Sequence, residues 1–405
     1  MNKSRLAWLF VCGLSILASG SLACGSDAKR NDNANDAGTG DDAAPDTGPP
    51  PLIAHPNPII SRGQAVFPAS ASAVVDGAYH NGGWTTRAAN LPASAAIDIG
   101  AGPTRLLVQW DDGGTYNYKD LPGVTVYGFP MGYTIDVSGD TTNGSDGTWT
   151  SVVTVTDNAV RSRGHVIDFT GMSWVRMTIT AAPPTESGNG VQIGEIDVHD
   201  LSNSPDLPDD TWFFMGDSIT AFAYDRAQAH QPSFASLINM ALPAYFPAMV
   251  NGGIGGEIST AGLARLPDAL ALNSAYRFFV LGYGTNDAAH GPTQMVPFKS
   301  NMQAMIDMVK AAGKIPIIPR IPYSSNATYL MVDQFNPIVD DLVTSNNLIP
   351  GPDFYAFFLA NPDDFTCPPC GNRTTDGLHP DDTGLQMMNQ LWATATMPLY
   401  PSASP

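Results

Sequence analysis

The sequence predicts two textures in series: an antiparallel β-sandwich, then an α/β region built on a parallel sheet. From about Pro58 to Asp200, short β-branched and aromatic runs alternate with clusters of Gly, Asn and Asp. That is the pattern of many strands joined by tight turns. From Asp206 onward, short apolar strand runs alternate with helical stretches. Strands alternating with helices argue for a parallel sheet covered on both faces.

Composition narrows the class. The chain has 405 residues, enough for two domains with extensions. Its 38 acidic residues outnumber 19 basic ones, giving a net charge of −19. A field of that sign repels phosphate backbones and argues against nucleic-acid partners. High Gly (39) and Pro (34) with few charged residues suit a loop-rich and β-rich exported protein. Only the N-terminus carries an apolar run approaching the ~18 residues that cross a membrane.

That N-terminus predicts export. Lys3 and Arg5 precede an apolar stretch from Leu6 to Leu17, and small residues follow to Cys24. This is a secretory signal over residues 1–24. Leu22-Ala23-Cys24 resembles a bacterial lipobox, in which the cysteine becomes the lipidated first residue and anchors the protein to a membrane. Ser21 departs from that pattern, which favours Leu, so ordinary cleavage near Ala23 stays open. Residues 25–56 carry almost no apolar side chain. They cannot offset their ordering entropy and read as a disordered acidic tether. The expected localisation is the bacterial cell envelope, or secretion.

Cysteine usage fits the same compartment. With Cys12 removed and Cys24 the anchor, Cys367 and Cys370 remain, as Cys-Pro-Pro-Cys. An oxidising compartment makes a disulfide the default for that pair. A zinc site would need two more ligands, and a thioredoxin-like motif would sit early in a βαβ unit.

Within the sandwich, residues 57–203, strands are expected at Ala96–Ile99, Arg105–Trp110, Tyr133–Ser138, Thr148–Thr156, His165–Thr170, Trp174–Thr180 and Ile193–Val198. Several alternate with period two, as in Val175/Met177/Ile179. Ala73-Val74-Val75-Asp76-Gly77 with Gly83-Trp84, and the closing Val191 to Val198, resemble the discoidin or galactose-binding-like jelly rolls. The resemblance spans about 140 residues. It implies sugar-binding loops at one end and a structural calcium ion, which is common in that family. Tyr79, Trp84 and Tyr116 are candidates to stack on a sugar, against the plainer reading of Trp84 and Trp110 as core.

In the second region, residues 206–400, strands are expected at Thr211–Met215, Phe246–Val250, Tyr276–Leu281, Ile315–Ile321 and Leu348–Phe354. Helices are expected from the first strand's end to about Leu242, and at Gln294–Ala312, Tyr329–Thr344 and Asp381–Ala395. In such sheets, ligands bind beyond the carboxyl ends of the strands.

Chemistry-bearing residues fall at those ends. Gly216-Asp217-Ser218 follows the first strand and opens a helix. A serine needs a base to become a nucleophile. Asp376-Gly377-Leu378-His379 supplies one, with Asp376 placed to fix the imidazole. Oxyanion donors are available from Asn251-Gly252-Gly253-Ile254-Gly255-Gly256 and from Gly284-Thr285-Asn286-Asp287. These four blocks, in this order, resemble the SGNH (GDSL-type) hydrolases over about 190 residues. The resemblance implies a three-layer α/β/α fold and ester hydrolysis without a cofactor. By motif it makes Ser218 the nucleophile, His379 the base with Asp376, and Ser218, Gly253 and Asn286 the oxyanion hole.

Plainer roles compete at several positions. Asp217 reads as a helix cap, Gly252, Gly255 and Gly256 as turn glycines, Asp287 as structural and His290 as a solvated loop residue. A disulfide between Cys367 and Cys370 would stiffen the loop carrying Asp376 and His379. No Gly-x-Ser-x-Gly elbow, His-Glu-x-x-His pair or phosphate loop ending in Gly-Lys-Ser/Thr occurs. The expected function is an exported serine esterase acting on O-acetyl groups of a polysaccharide. Two alternatives remain: a lipase, lysophospholipase or thioesterase acting on acyl chains, and a surface carbohydrate-binding protein with an inactive hydrolase domain.

Overall fold

The structure, a computed structural model, describes residues 53–78, 83–112, 128–158, 160–183, 190–225, 230–361 and 376–401. The chain divides into two units, Met1–Thr47 and Gly48–Pro405, and every described residue belongs to the second. The signal segment, Cys24, Cys367, Cys370, Tyr79 and Tyr116 lie outside the described residues.

The first ten strands are β1 (Val66–Phe67), β2 (Trp84–Arg87), β3 (Ala93–Asp98), β4 (Arg105–Asp111), β5 (Gly132–Ser138), β6 (Thr150–Val155), β7 (Ser162–Asp168), β8 (Trp174–Ala181), β9 (Gly190–Ile193) and β10 (Glu195–Asp200). They form antiparallel sheets in the orders β1-β3-β8-β5-β6 and β10-β4-β7, plus the pair β2-β9. Period-two alternation points Val175, Met177 and Ile179 of β8 and Tyr133 and Ile135 of β5 into one core with Leu106, Val108 and Trp110 of β4. Trp84 and Trp110 are both buried there, so Trp84 is a core residue and not a sugar platform. The Val74-Val75 motif lies on a 3-10 turn, Ala69–Val75, that packs into the same core.

Strand β4 is buried along both faces. Leu106, Val108 and Trp110 face the sandwich, while Leu107 packs into the core of the α/β region. Gln109 also reaches across: its Nε2 donates to Met249 O at 2.5 Å and its Oε1 accepts from Tyr276 Oη at 3.2 Å. Gly164 of β7 makes room for that tyrosine, because a Cβ there would lie 2.4 Å from Tyr276 Oη. The two textures therefore share packed and hydrogen-bonded contacts.

The parallel sheet has strands β11 (Thr211–Gly216), β12 (Ala248–Gly253), β13 (Phe278–Gly282), β14 (Ile315–Arg320) and β15 (Ile349–Asp353), in the order β12-β11-β13-β14-β15. Its helices are α1 (Ser218–Ala223), α2 (Phe234–Ala241), α3 (Ser259–Leu272), α4 (Thr285–Ala289), α5 (Met295–Ala311), α6 (Val332–Ser345), α7 (Phe354–Ala360) and α8 (Asp382–Thr396). Alternate residues of β11 serve opposite layers. Trp212 and Phe214 pack with α1, α2, α7 and α8, whereas Phe213 and Met215 pack with α3, α5 and α6. Trp212 stacks on Phe278 at 4.1 Å and meets Phe234 edge-on at 5.1 Å. Such pairs add roughly 1 kcal/mol beyond burial. This is the three-layer α/β/α arrangement. Among the described residues no helix is long and apolar enough to cross a membrane.

Three expectations change. The long helix expected after β11 is two helices: α1 ends at Ala223, and α2 starts anew at Ser233, whose Oγ accepts Ser236 N–H at 3.2 Å. Helices α3, α4 and α7 were not foreseen. Packing also begins earlier than the expected end of the tether. Ile53 is buried and donates its amide to Leu399 O at 2.8 Å, and His55 pairs with Asp209.

Candidate active site

Strand β11 ends at Gly216, and the chain turns into α1 at once. Asp217 caps that helix: its Oδ1 accepts Ile219 N–H at 3.0 Å. Its other oxygen has no hydrogen-bond partner among the described residues. Burial, with the nearby Asp287 and Glu257 charges added, pushes its carboxyl up to about 7 against its backbone hydrogen bonds. Asp217 thus has the capping role its position suggested. It leaves Ser218 as the first helical residue, with an amide that no described residue accepts from.

Ser218 Oγ lies 2.8 Å from His379 Nε2. His379 Nδ1 lies 2.8 Å from Asp376 Oδ2. Asp376 Oδ1 accepts the Leu378 and His379 amides, each at 2.8 Å. One carboxylate therefore fixes both the ring and the backbone that carries it. Burial raises the Asp376 carboxyl, but hydrogen bonds from the His379 ring and the two amides outweigh it and hold it below the usual range. An anionic Asp376 directs the Nδ1 proton toward itself and leaves Nε2 as the acceptor facing Ser218. The edge of Phe222 packs on the His379 ring, 5.2 Å between centroids.

The loop after β14 steadies this arrangement from outside. Gly377 O accepts Ser324 Oγ at 2.6 Å, Ser325 N at 2.9 Å and Asn326 N at 3.1 Å. Asn326 Nδ2 donates to Asp376 O at 2.9 Å. None of these residues was singled out from sequence, and their uncharged side chains carry no motif.

The glycine turn after β12 borders the nucleophile. Gly253 N–H donates to Asn251 Oδ1 at 3.0 Å. Gly253 is glycine for packing: a Cβ would sit 2.3 Å from Ala221 N. The amides without an acceptor among the described residues are those of Gly255 and Gly256. A Cβ built on Gly255 lies 4.0 Å from Ser218 Cβ, which puts this turn beside the nucleophile. Asn286, at the start of α4, gives one amide hydrogen to Glu257 O at 3.1 Å and retains the other.

A buried ion pair holds the turn. Glu257 accepts Arg265 Nε at 2.8 and 2.9 Å and Arg265 Nη2 at 2.6 Å. Tyr283 Oη donates to the same carboxylate at 2.7 Å. Arg265 Nη2 also reaches Gly252 O at 2.8 Å. Sequence reasoning missed Glu257, Arg265 and Tyr283, since α3, which carries Arg265, was itself missed. Asp287 is structural, as expected: it accepts Ser259 N at 3.0 Å and Ser259 Oγ at 2.5 Å, starting α3. His290 is exposed, with Nδ1 2.8 Å from Asn286 O.

Among the described residues no three His, Cys, Asp or Glu side chains converge as a ligand set. Glu195 is fully buried, accepts Gly77 N at 3.1 Å and has one oxygen without a partner among the described residues. Burial and then the Asp197 charge push its carboxyl up to about 10, which keeps it neutral at pH 7.

Residues 214–387 match the family model of the GDSL-like lipase/acylhydrolases. No curated protein matches the chain. Among solved structures, a lipase/acylhydrolase from Enterococcus faecalis is similar at 22% identity and a TM-score of 0.38, over 48% of this chain and 99% of that one. An acetylxylan esterase from Geobacillus stearothermophilus is similar at 17% identity and a TM-score of 0.37, over 46% of this chain and 94% of that one. Residues 214–387, holding Ser218 and His379 at hydrogen-bond distance, are a GDSL-like lipase/acylhydrolase domain, and the chain is a hydrolase of ester bonds.

Proposed function

We propose that this chain is an exported serine esterase that removes O-acetyl groups from a carbohydrate. The observation that carries the chemistry is the pair of 2.8 Å contacts linking Ser218, His379 and Asp376. Ser218 Oγ attacks the ester carbonyl while His379 Nε2 takes its proton. The amides of Ser218 and Gly253, with Asn286 Nδ2, receive the oxyanion. His379 then protonates the leaving alcohol and activates a water for deacylation. Asp376 stabilises the imidazolium throughout.

Export by the N-terminal signal, lipidation of Cys24, a Cys367–Cys370 disulfide and carbohydrate binding by the sandwich belong to the same reading. Metabolic labelling with a fatty acid, lost in Cys24→Ala, tests the anchor. The catalytic test is hydrolysis of 4-nitrophenyl esters of increasing chain length, with Ser218→Ala as control. Acetate turnover that falls steeply with chain length and vanishes in the variant is expected. A preference for long chains moves the assignment to a lipase or thioesterase. Absence of turnover by folded wild-type protein favours the inactive, carbohydrate-binding alternative.

A further inference from the structure

Gly252, Gly253, Gly255 and Gly256 follow Asn251 closely, and the fold explains all but one of them. A Cβ at Gly252 would lie 2.3 Å from the Phe213 ring. One at Gly253 would lie 2.3 Å from Ala221 N. Gly256 has a φ of 75°, a conformation that favours glycine. Gly255 has neither reason. Its φ lies outside the left-handed region. Apart from its chain neighbours, the atom among the described residues that a Cβ would meet is Ser218 Cβ, at an ordinary contact distance of 4.0 Å.

The turn geometry agrees. Glu257 N–H donates to Ile254 O at 3.3 Å, closing a turn with Gly255 and Gly256 at its centre. A positive φ at the second central residue alone is the type II pattern. That pattern favours glycine at the second central position and accepts most residues at the first. An alanine at 255 would also narrow the unfolded ensemble and so stabilise the fold. The chain forgoes that gain at the position of the turn that abuts the nucleophile. The turn is also held in place. Ile254 N–H donates to Gly216 O at 2.9 Å, two residues before Ser218, and Glu257 is gripped by Arg265 and Tyr283. Residues 254–256 are exposed, and Ile254 presents an apolar side chain to solvent beside Gly255.

We infer that Gly255 determines specificity: its missing side chain keeps clear the space beside Ser218 through which the alcohol part of the ester runs to solvent. The assignment rests on the esterase reading above and adds the position that admits the leaving group. An acetyl group is short and ends close to the reacting carbonyl. The bulky part of such an ester is its alcohol, and a bulky group needs an unobstructed wall that opens outward. The class admitted is an acetate of a ring-borne secondary alcohol, with the ring's apolar face toward Ile254.

The probes are ethyl acetate, cyclohexyl acetate and ethyl hexanoate, followed by titration of the released acid. Cyclohexyl acetate enlarges the alcohol alone, and ethyl hexanoate enlarges the acyl group alone. Gly255→Val is expected to lower kcat/KM on cyclohexyl acetate about tenfold and to leave ethyl acetate within about threefold. Gly255→Ala should lose about threefold on cyclohexyl acetate and melt no lower than wild type, which a glycine required by the fold would not allow. Ile254→Ala should weaken cyclohexyl acetate about threefold, through KM. A larger loss on ethyl hexanoate than on cyclohexyl acetate would give the space to the acyl chain and overturn the assignment. Equal losses on all three esters, no loss on any, a lowered melting temperature in Gly255→Ala, or a wild type that accepts ethyl acetate but not cyclohexyl acetate would also overturn it. Those outcomes leave the esterase reading standing. A folded wild type that hydrolyses none of the three esters would overturn both.

Discussion

Two carboxylates head the two loops that meet over Ser218, and they hold those loops in different ways. Asp376 grips its own loop. Its partners are two and three residues away, it is partly exposed, and hydrogen bonds keep it charged. Glu257 is buried and is gripped by Arg265, eight residues on, and by Tyr283, on the strand-end segment before Asn286. The first arrangement orients a base through local geometry. The second fixes a set of backbone donors through a charge pair that needs two further elements in place. A locally closed loop should fail in function before stability, and a buried clamp should fail in both.

The largest effect expected from this contrast is at Asp376. Asp376→Asn should lower kcat by roughly 10³–10⁴-fold with little change in KM or melting temperature, because it disturbs the tautomer and not the packing. Steady-state kinetics with thermal denaturation would check this. Next is the clamp. Arg265→Ala leaves a buried carboxylate without its ion pair, and should cost about 3–5 kcal/mol of stability and about 10²-fold in kcat. Glu257→Gln keeps the shape and should recover most of the stability but not all of the rate; a full recovery of both would show that the charge is unnecessary. Third is the outer support of the histidine loop. Asn326→Ala removes one hydrogen bond to Asp376 O, and should cost about 1 kcal/mol and about tenfold in kcat.

The smallest effect is a pH dependence away from both loops. Asp210 is fully buried, accepts Trp212 Nε1 at 2.9 Å and Tyr400 Oη at 2.7 Å, and burial pushes its carboxyl from 3.8 up to about 7. A raised acid contributes stability that is complete below pH 4 and is lost as pH rises through about 7. Asp210→Asn should flatten the melting-temperature profile between pH 4 and 7, and a profile as steep as wild type would show that other groups produce the slope.

The same contrast explains what the sequence made legible. Asp376 and His379 are three residues apart, and the Gly-Asp-Ser block follows an obvious strand, so both could be read from a line of text. The clamp could not. Helix α3 carries Pro267 in its interior, and its N-cap, Ile258, has no side chain that can cap it. Its capping group is Asp287, which comes from a different strand end. Nothing local announces such a helix, and with it went Arg265. Several glycines in a row look interchangeable in the sequence, and only the folded turn shows that Gly253 donates to Asn251 Oδ1 while Gly255 lies beside Ser218. In the sandwich, alternation gave the strands well, but β4 reads Leu-Leu-Val-Gln-Trp without alternation because both of its faces are covered.

That doubly covered strand bears on how the protein can be taken apart. Leu107 and Gln109 of β4, and Gly164 of β7, meet Tyr276, Met249 and the buried layer behind them. A chain shortened to begin at residue 206 would bare this layer to water and leave the Met249 carbonyl and the Tyr276 hydroxyl to solvent. The sandwich is accordingly a structural partner of the catalytic sheet and not an interchangeable attachment. Both should melt in a single transition, and neither could be shuffled onto another protein without rebuilding the face it leaves behind.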